Sequence, residues 1–349
     1  MTFNDMNRRT LGRRGLLAGA AGLALGAVPF VGSGSAFGSA AFASPNNASP
    51  DFVEDSRRFN IGGSGGYAFR QKQLHANWVL QSFGYDNLNN HIYFLQTNED
   101  NTAKEHVGDI WVTKTDLAGN EIGAMALRNF GHGVAVGVEP YNGTVYLWTE
   151  WKVNFDSGFG TKIGRFEFVN GATLMADDPS IQDRTPSIGE EMTNPQPSID
   201  PSTDRLLVRY KVGADLPRIV VFPMTNARAG NLTVNDRKAE RALPSRGAWG
   251  AANPFQGLAA YGRYAYLLEG PVGNPSYITT IDLNDVGQTM VEDRHPTTAG
   301  ASLPGREPQG MAIWLSGSSN NVSPRLAFGF HSNTGGVRQA SVYFKDSFY

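Results

Sequence analysis

The stretch QGLAAYGRYAYLL, from Gln256 to Leu268, decides the fold of this chain. It opens on a polar tag, Gln256-Gly257, and continues as a short apolar run. Gly262 then introduces a second run of aromatic and aliphatic residues. Two short apolar runs on either side of a glycine turn are typical of adjacent antiparallel strands. The stretch therefore predicts a β-hairpin that begins at a glutamine.

The same arrangement occurs five times along the chain. The recurring tags, each ahead of an apolar segment, are Gln81-Ser82-Phe83, His132-Gly133-Val134, Gln196-Pro197-Ser198, Gln256-Gly257-Leu258 and Gln309-Gly310-Met311. Successive tags are roughly 50 to 65 residues apart, which suits one four-stranded antiparallel sheet per repeat. Such sheets stack around an axis as the blades of a propeller. We therefore predict an all-β fold, a single five-bladed β-propeller.

Turn signals divide the repeats into strands. The strands predicted for blades one and two are Trp78–Tyr85, Ile92–Thr97, Asp109–Leu117 and Glu121–Leu127, then Val134–Glu139, Thr144–Trp151, Lys162–Phe168 and Ala172–Met175. Those predicted for blades three and four are Ser198–Asp200, Arg205–Lys211, Arg218–Pro223 and a tail to about Val234, then Leu258–Tyr261, Tyr264–Glu269, Tyr277–Leu283 and a weak strand near Met290.

The fifth repeat supplies only three strands of its own, Met311–Leu315, Arg325–His331 and Arg338–Lys345. Since a closed ring exposes no sheet edge, we expect the N-terminal segment Phe59–Phe69 to complete this blade. Four polar segments are longer than ordinary connections, and long loops on a rigid scaffold are typical places for recognition. They are Asn98–Val107, Asp177–Asn194, Asn235–Asn253 and Glu292–Arg306.

Residues 1–43 have the pattern of an export signal. Arg13-Arg14-Gly15-Leu16-Leu17 resembles a twin-arginine motif, and Ala41-Phe42-Ala43 fits a small-x-small cleavage site. The alternative is an uncleaved signal anchor, although the apolar run is short for a membrane span. We expect a signal peptide over 1–43, a flexible stalk over 44–58 and the propeller over 59–349. The protein would then be secreted and extracellular, with no membrane span after signal removal.

The composition argues against several functional classes. The chain has no cysteine, which excludes thiol catalysis and cysteine-based metal sites. A formal net charge of -2 gives no general field that attracts nucleic acid. The sequence contains no Gly-x-Ser-x-Gly elbow, Walker loop or His-Glu-x-x-His, and its six histidines show no ligand spacing. We therefore expect no cofactor, no metal and no nucleic-acid partner.

The segment Arg70–Phe168 resembles a known family. The motifs that carry the resemblance are Gln81-Ser82-Phe83 with Asp86-Asn87, Gly108-Asp109-Ile110, Phe130-Gly131-His132-Gly133, Gly137-Val138-Glu139-Pro140 and Leu147-Trp148-Thr149-Glu150. They are similar to the propeller domain shared by phage receptor-binding proteins and the teichoic-acid-associated TagC-like proteins of Gram-positive bacteria. The resemblance implies a five-bladed propeller and, from the phage members, binding of a glycosylated cell-wall polymer. The export signal departs from the phage pattern, so a wall-facing role is implied and phage adsorption is not.

The tag residues form the first candidate ligand site. Gln81, His132, Gln196, Gln256 and Gln309 would begin the innermost strands and so surround one end of the axial channel. Amides and an imidazole offer both donors and acceptors, which suits sugar hydroxyls or phosphate-bearing polyols. The alternative is that these side chains join neighbouring blades by hydrogen bonds to the backbone.

A second candidate group lies in the second repeat. Strand alternation places Trp148 and Glu150 on one face, near Glu139 of the preceding strand. An aromatic ring beside a carboxylate is a common arrangement for sugar binding. The alternative is that Trp148 fills the space between blades and Glu150 pairs with a basic residue. Trp249, in an irregular segment, is predicted to be an exposed ligand contact.

Together these features predict a monomeric, lectin-like propeller that binds a cell-wall glycopolymer of the teichoic acid type, without catalytic residues. Other secreted subunits are candidate partners in a larger assembly. A hydrolase is one alternative, with Glu139 and Glu150 as acid and nucleophile, and a lyase using His132, Arg209 and Tyr210 is another. A protein-interaction platform with no affinity for sugar is the third.

Overall fold

The computed structural model describes residues 53–98, 103–213, 215–243, 253–273, 275–285, 291–318 and 321–349. The predicted signal peptide, most of the predicted stalk and Trp249 lie outside these ranges. Within them the chain forms 21 β-strands, one short α-helix, Met224–Ala229, and two 3-10 helices, Lys104–His106 and Val234–Asp236. Among the described residues, no helix is both long and apolar enough to cross a bilayer.

The strands form five sheets, and each sheet is one blade. The first strand, β1 (Gly65–Lys72), belongs to the last blade. Blade one contains β2 (Val79–Asp86), β3 (His91–Thr97), β4 (Ile110–Asp116) and β5 (Glu121–Arg128), and blade two contains β6 (Val136–Tyr141), β7 (Thr144–Val153) and β8 (Gly160–Glu167). Two short strands follow, β9 (Thr173–Met175) and β10 (Gln182–Asp183).

The remaining three blades follow the same order from the axis outward. Blade three contains β11 (Thr193–Asp200), β12 (Arg205–Lys211), β13 (Arg218–Pro223) and β14 (Ala239–Ala242). Blade four contains β15 (Phe255–Tyr261), β16 (Tyr264–Glu269), β17 (Ser276–Asp282) and β18 (Val291–Thr297). Blade five contains β19 (Glu307–Ser318), β20 (Asn321–Thr334) and β21 (Val337–Lys345), with β1 as its outermost strand.

The ring closes as the sequence predicted, through an N-terminal strand. β1 pairs antiparallel with β21, from Gly65 opposite Lys345 to Lys72 opposite Ala340. The strand begins later than the predicted Phe59, which instead forms an isolated bridge with Phe348 and stacks on its ring at 4.3 Å. The innermost strands β2, β6, β11, β15 and β19 contact one another in sequence around the axis, and β19 contacts β2. The predicted five-bladed propeller is therefore confirmed.

The hydrophobic core is divided among the blade interfaces. Five apolar clusters occur, one between each pair of neighbouring blades. Since both faces of a blade are covered, its inner strands are buried on both sides and do not alternate between buried and exposed residues. All eight residues of β2 are buried, for example. Burial of both faces is what makes the blades rigid supports for the loops at their ends.

The outer strands differ most from the sequence prediction. The segment Ala172–Met175, predicted to complete blade two, contains β9, which pairs in parallel with β5 and makes blade one five-stranded. The cause is the turn before it, where the backbone N–H of Gly171 donates to the carbonyl of Ala124 at 2.7 Å. Blade two is completed instead by β10. Parts of the predicted long loops are likewise strands, namely β10, β14 and β18.

Residues 53–58, which the sequence assigns to the stalk, lie against the propeller. Val53 is 2% exposed and packs in the cluster between blades three and four. The side chain of Asn284 binds the backbone of Val53 twice, at 2.8 Å each. The hydroxyl of Ser56 donates to the carbonyl of Tyr261. The propeller therefore includes residues from Val53 onward. The sequence did not show this, because Val53 is a single buried apolar residue followed by exposed polar ones.

Candidate functional site

The tag residues lie where the innermost strands begin, which we call the tag end of the propeller. Each four-stranded blade returns the chain to the end at which it started, so the five innermost strands all start at the tag end. Gln81, Gln196, Gln256 and Gln309 are each at most 6% exposed. His132 lies in the segment between β5 and β6, is half-buried and has its ring 5.0 Å from that of Phe159. The glutamines are thus inside the walls of the channel mouth.

The tags mark irregularities in strand pairing. The register of the innermost strand shifts beside Gln81, Gln196, Gln256 and Gln309, as it does at a β-bulge. A Cβ added to Gly310, whose φ is +80°, would lie 2.7 Å from the Cα of Ser82 in blade one. The tags recur because each blade needs this local bend and close approach at the axis.

Gln196 and Gln256 bind partners in the walls. The side-chain oxygen of Gln196 accepts from Nη1 of Arg209 at 2.6 Å. The amide of Gln256 donates to the carbonyl of Gly270 and to Glu307 of blade five, both at 3.2 Å. These contacts agree with the alternative in which the tags hold blades together. They differ from the prediction in using side-chain partners as well as the backbone.

Gln309 is the exception among the tag glutamines. It is 1% exposed, and neither its amide nitrogen nor its amide oxygen has a hydrogen-bond partner among the described residues. An unsatisfied buried amide costs folding free energy, on the order of 1–3 kcal/mol.

Glu150 organises the one repeat that carries histidine in place of glutamine. It lies near the end of β7, is 2% exposed and accepts backbone N–H groups of Gly133 at 2.7 Å, Val134 at 3.3 Å and Gly160. Burial raises the pKa of this carboxyl to about 7, although the backbone donors act in the opposite direction. Glu150 therefore fixes the segment that follows His132. The predicted pairing of Glu150 with a basic residue is replaced by pairing with the backbone.

Trp148 and Glu139 also have structural contacts. Trp148 is fully buried in the cluster between blades two and three, and its indole N–H donates to Glu139 at 2.8 Å. Glu139 is 3% exposed and binds Nε of Arg165 at 2.8 Å and Nε of Arg228. A ring with no exposed face cannot stack on a sugar. The predicted ligand contacts of Trp148 and Glu139 are therefore corrected: both residues hold blade two to its neighbour.

The candidate catalytic arrangements are not assembled. Glu139 lies opposite Tyr146, and Glu150 is four residues farther along the same strand as Tyr146. At about 3.3 Å per residue the backbones of the two glutamates are roughly 13 Å apart along the strand. Each side chain is at most 3% exposed, and each carboxylate is bound by partners within the propeller. The lyase arrangement fails as well, because the hydroxyl of Tyr210 is buried and donates to Glu240 at 2.6 Å.

Charged residues at the tag end were not singled out from the sequence. Arg306 donates to Ser276 and to the carbonyls of Thr297 and Ala299, and burial lowers its pKa to about 10. Glu307, beside it, receives the amide of Gln256. The sequence signal that could have identified Arg306 and Glu307 is their position directly before the fifth tag. Across the described ranges, no group of three or more acidic or histidine side chains is placed to hold a metal ion.

Comparison with known proteins places the chain among receptor-binding propellers. Residues 79–298 match the family described as "Phage 5-bladed beta propeller receptor binding platform domain". A Bacillus subtilis (strain 168) protein named "Putative major teichoic acid biosynthesis protein C" is 24% identical over 288 residues, which are 79% of this chain and 61% of that protein. The tail fiber of Staphylococcus aureus phage P68 has the same fold, with a TM-score of 0.64 and 20% identity over 81% of this chain and 53% of that one.

The chain thus spans about three fifths of the Bacillus protein and about half of the phage tail fiber. The family match, in contrast, extends over more than half of this chain and includes strands of four blades. It also contains four of the five tags. The chain belongs to the family of phage five-bladed β-propeller receptor-binding platform domains.

Proposed function

We propose that this protein binds a cell-surface glycopolymer of the teichoic acid type and does not cleave it. The observation that carries the proposal is membership, over residues 79–298, in a family of receptor-binding platforms. The names of two relatives support the choice of polymer. One is a tail fiber of a phage of Staphylococcus aureus, and the other is named for teichoic acid biosynthesis.

Binding without cleavage is supported by the state of the candidate acids. Glu150, with a pKa of about 7, has the protonation behaviour that a general acid requires. Its oxygens, however, are occupied by backbone N–H groups, and its side chain is 2% exposed. Glu139 is 3% exposed and is bound to two arginines. Both carboxylates therefore support the propeller itself.

The predicted export signal completes the proposal. A twin-arginine signal exports proteins that have already folded. A propeller with a closed ring and long-range strand pairing is a suitable cargo, since β1 and β21 pair only after the whole chain is made. Export would place the propeller outside the cell, where wall polymers are found.

A sedimentation experiment with purified Gram-positive cell walls tests the proposal. The protein would be mixed with intact walls and with walls from which teichoic acid has been extracted, and both the bound protein and the released saccharide would be quantified. We expect retention on intact walls, little retention on extracted walls and no release of soluble fragments. Fragment release would establish the hydrolase or lyase alternative. Equal behaviour on both wall preparations would contradict the proposal.

A further inference from the structure

A groove on the outer half of blade one lies outside every site predicted from the sequence. It has a volume of about 480 Å³ and is lined by residues that include His75, Trp111, Glu121, Ile122 and Asn170. We call it the blade-one groove. Its volume is within the range of about 300–1,000 Å³ typical of small-molecule sites. A second cavity, lined by innermost strands that include β2 and β6, holds only about 20 Å³.

The turn before the fifth strand of blade one builds one wall of the groove. Before β9, Asn170 accepts the backbone N–H of Ala124 through its side-chain oxygen at 2.9 Å. A Cβ on Gly123 would lie 2.7 Å from that oxygen, so glycine is what lets Asn170 approach β5. The contact fixes the amide and leaves its two N–H donors for another acceptor. The wall therefore presents a rigid hydrogen-bond donor.

Trp111 supplies a fixed aromatic surface on the other side. Its ring lies 4.3 Å from that of His75 and 6.5 Å from that of Trp78. The loop that carries His75 is itself held, because its backbone N–H donates to Thr113 and the amide of Gln96 binds the carbonyl of Ala76 at 2.6 Å. An aromatic ring held by its neighbours binds a ligand with little loss of side-chain entropy.

The charge of the groove favours a neutral ligand. A carboxylate oxygen of Glu121 and Nδ1 of His75 are in hydrogen-bond contact at 2.8 Å, and both side chains are accessible, 38% and 37% exposed. None of the residues that line the groove is a lysine or arginine. Nearby Arg128 is bound to Asp109 at 2.8 Å. A phosphate would meet no uncompensated cation here, whereas sugar hydroxyls can bind the carboxylate and the amide.

One exposed apolar side chain also lines the groove. Ile122, on β5, is 46% exposed. It matches the C–H face of a pyranose, as the ring of Trp111 does.

From these observations we infer that the blade-one groove binds one neutral sugar ring, which is a glycosyl group carried by the polymer. The sugar ring would stack on Trp111, and its hydroxyls would bind Glu121 and Asn170. This inference rests on the proposed function. It places the contact with the saccharide in the blade-one groove, away from the tags. The polymer backbone would then lie along the surface outside the groove.

Titration calorimetry with two polymer preparations tests the inference. The probes are teichoic acid extracted from Gram-positive walls with its glycosyl groups intact, and the same material after enzymatic removal of those groups. Wild-type protein should bind the intact polymer at least about tenfold more tightly than the stripped polymer. Trp111→Ala should bind both preparations equally, at the level of wild type with stripped polymer. Leu88→Ala, which alters an apolar side chain 73% exposed on the same blade, should behave as wild type.

A second variant covers the case in which Trp111→Ala does not fold. Ile122→Arg places a long charged side chain at an exposed position in the groove and should lose the same discrimination between polymers. If both variants bind the intact polymer as wild type does, the groove inference is overturned while the proposed function stands. If wild type binds neither preparation, the proposed function fails and the inference fails with it.

Discussion

The ring of tag residues and the blade-one groove differ in every respect that matters for recognition. Each blade has one tag, and the four glutamine tags lie at register shifts and are at most 6% exposed. The groove belongs to blade one, collects residues from four separate segments and keeps its polar groups accessible. A residue that must recur in every blade serves ring closure, which every blade shares. A ligand contact needs to occur only once.

The largest effect that this comparison predicts concerns Gly310, the glycine of the fifth tag. Gly310→Ala should lower the free energy of unfolding by about 2–5 kcal/mol, from a left-handed φ and from overpacking against Ser82. Gly143→Ala is a matched control, because its φ is +82° but no atom lies within 4 Å of the added Cβ. It should cost about 1–2 kcal/mol. Equal losses in denaturant unfolding would show that the axis tolerates a methyl group.

The next effect separates a structural tag from a ligand contact. Gln196→Ala removes the acceptor for the buried guanidinium of Arg209 and should cost about 1.5–3 kcal/mol of stability. Affinity for teichoic acid should not change, and the exposed control Gln73→Ala should alter neither quantity. Unfolding and calorimetry on the same samples would check both. If the variant lost affinity for teichoic acid but kept its stability, the tags would be ligand contacts and not structural residues.

A smaller effect is expected in the pH dependence of stability. The folded pKa of Glu150, about 7, is above its ordinary value of 4.5, so the folded state binds more protons between these values. The contribution of this carboxyl is therefore largest below pH 4.5 and is lost as the pH rises to 7. His331 acts in the opposite direction, since burial lowers its pKa from 6.5 to about 4.

The difference between wild type and Glu150→Gln isolates the Glu150 contribution, because His331 is common to both proteins. Between pH 4.5 and 7, the free energy of unfolding of wild type should fall relative to that of the variant. The slope against pH should correspond to a difference of at most one bound proton. Denaturant midpoints measured across that range would provide the comparison. Parallel profiles for the two proteins would mean that Glu150 is already ionised at pH 4.5.

The smallest effect concerns the groove itself. Glu121→Gln should leave stability within about 0.5 kcal/mol of wild type, because a contact between two side chains this exposed contributes little. Affinity for the glycosylated polymer should fall about fivefold, since hydrogen bonds to a charged acceptor are lost. This pattern is the reverse of that expected for Gln196→Ala. A stability loss with unchanged affinity would make the His75–Glu121 pair a structural bridge.

The sequence predicted the blades well because their geometry has local requirements. A bulge and a close approach at the axis need specific residues at each repeat, such as Gly257 and Gly310, and those residues recur visibly. The position of β9 could not be predicted in the same way. It is three residues long, and its parallel pairing with β5 depends on the Asn170-Gly171 turn meeting Ala124 of another blade.

The candidate site was predicted less well, because residue type does not report burial. An amide such as Gln196 can bind a sugar or an arginine, and only the packed structure shows that Arg209 is its partner. Trp148 is likewise suited to stacking but has no exposed face. The groove residues were missed because His75, Trp111 and Asn170 are far apart in sequence and follow no period.

The most direct test of this account is hydrogen exchange with and without glycosylated teichoic acid. The account predicts that ligand slows amide exchange in residues 110–128 and 169–176, which build the blade-one groove. The innermost strands should be unaffected. Protection confined to the tag end, at residues 129–136 and 254–258, would contradict the account and place recognition at the repeated residues.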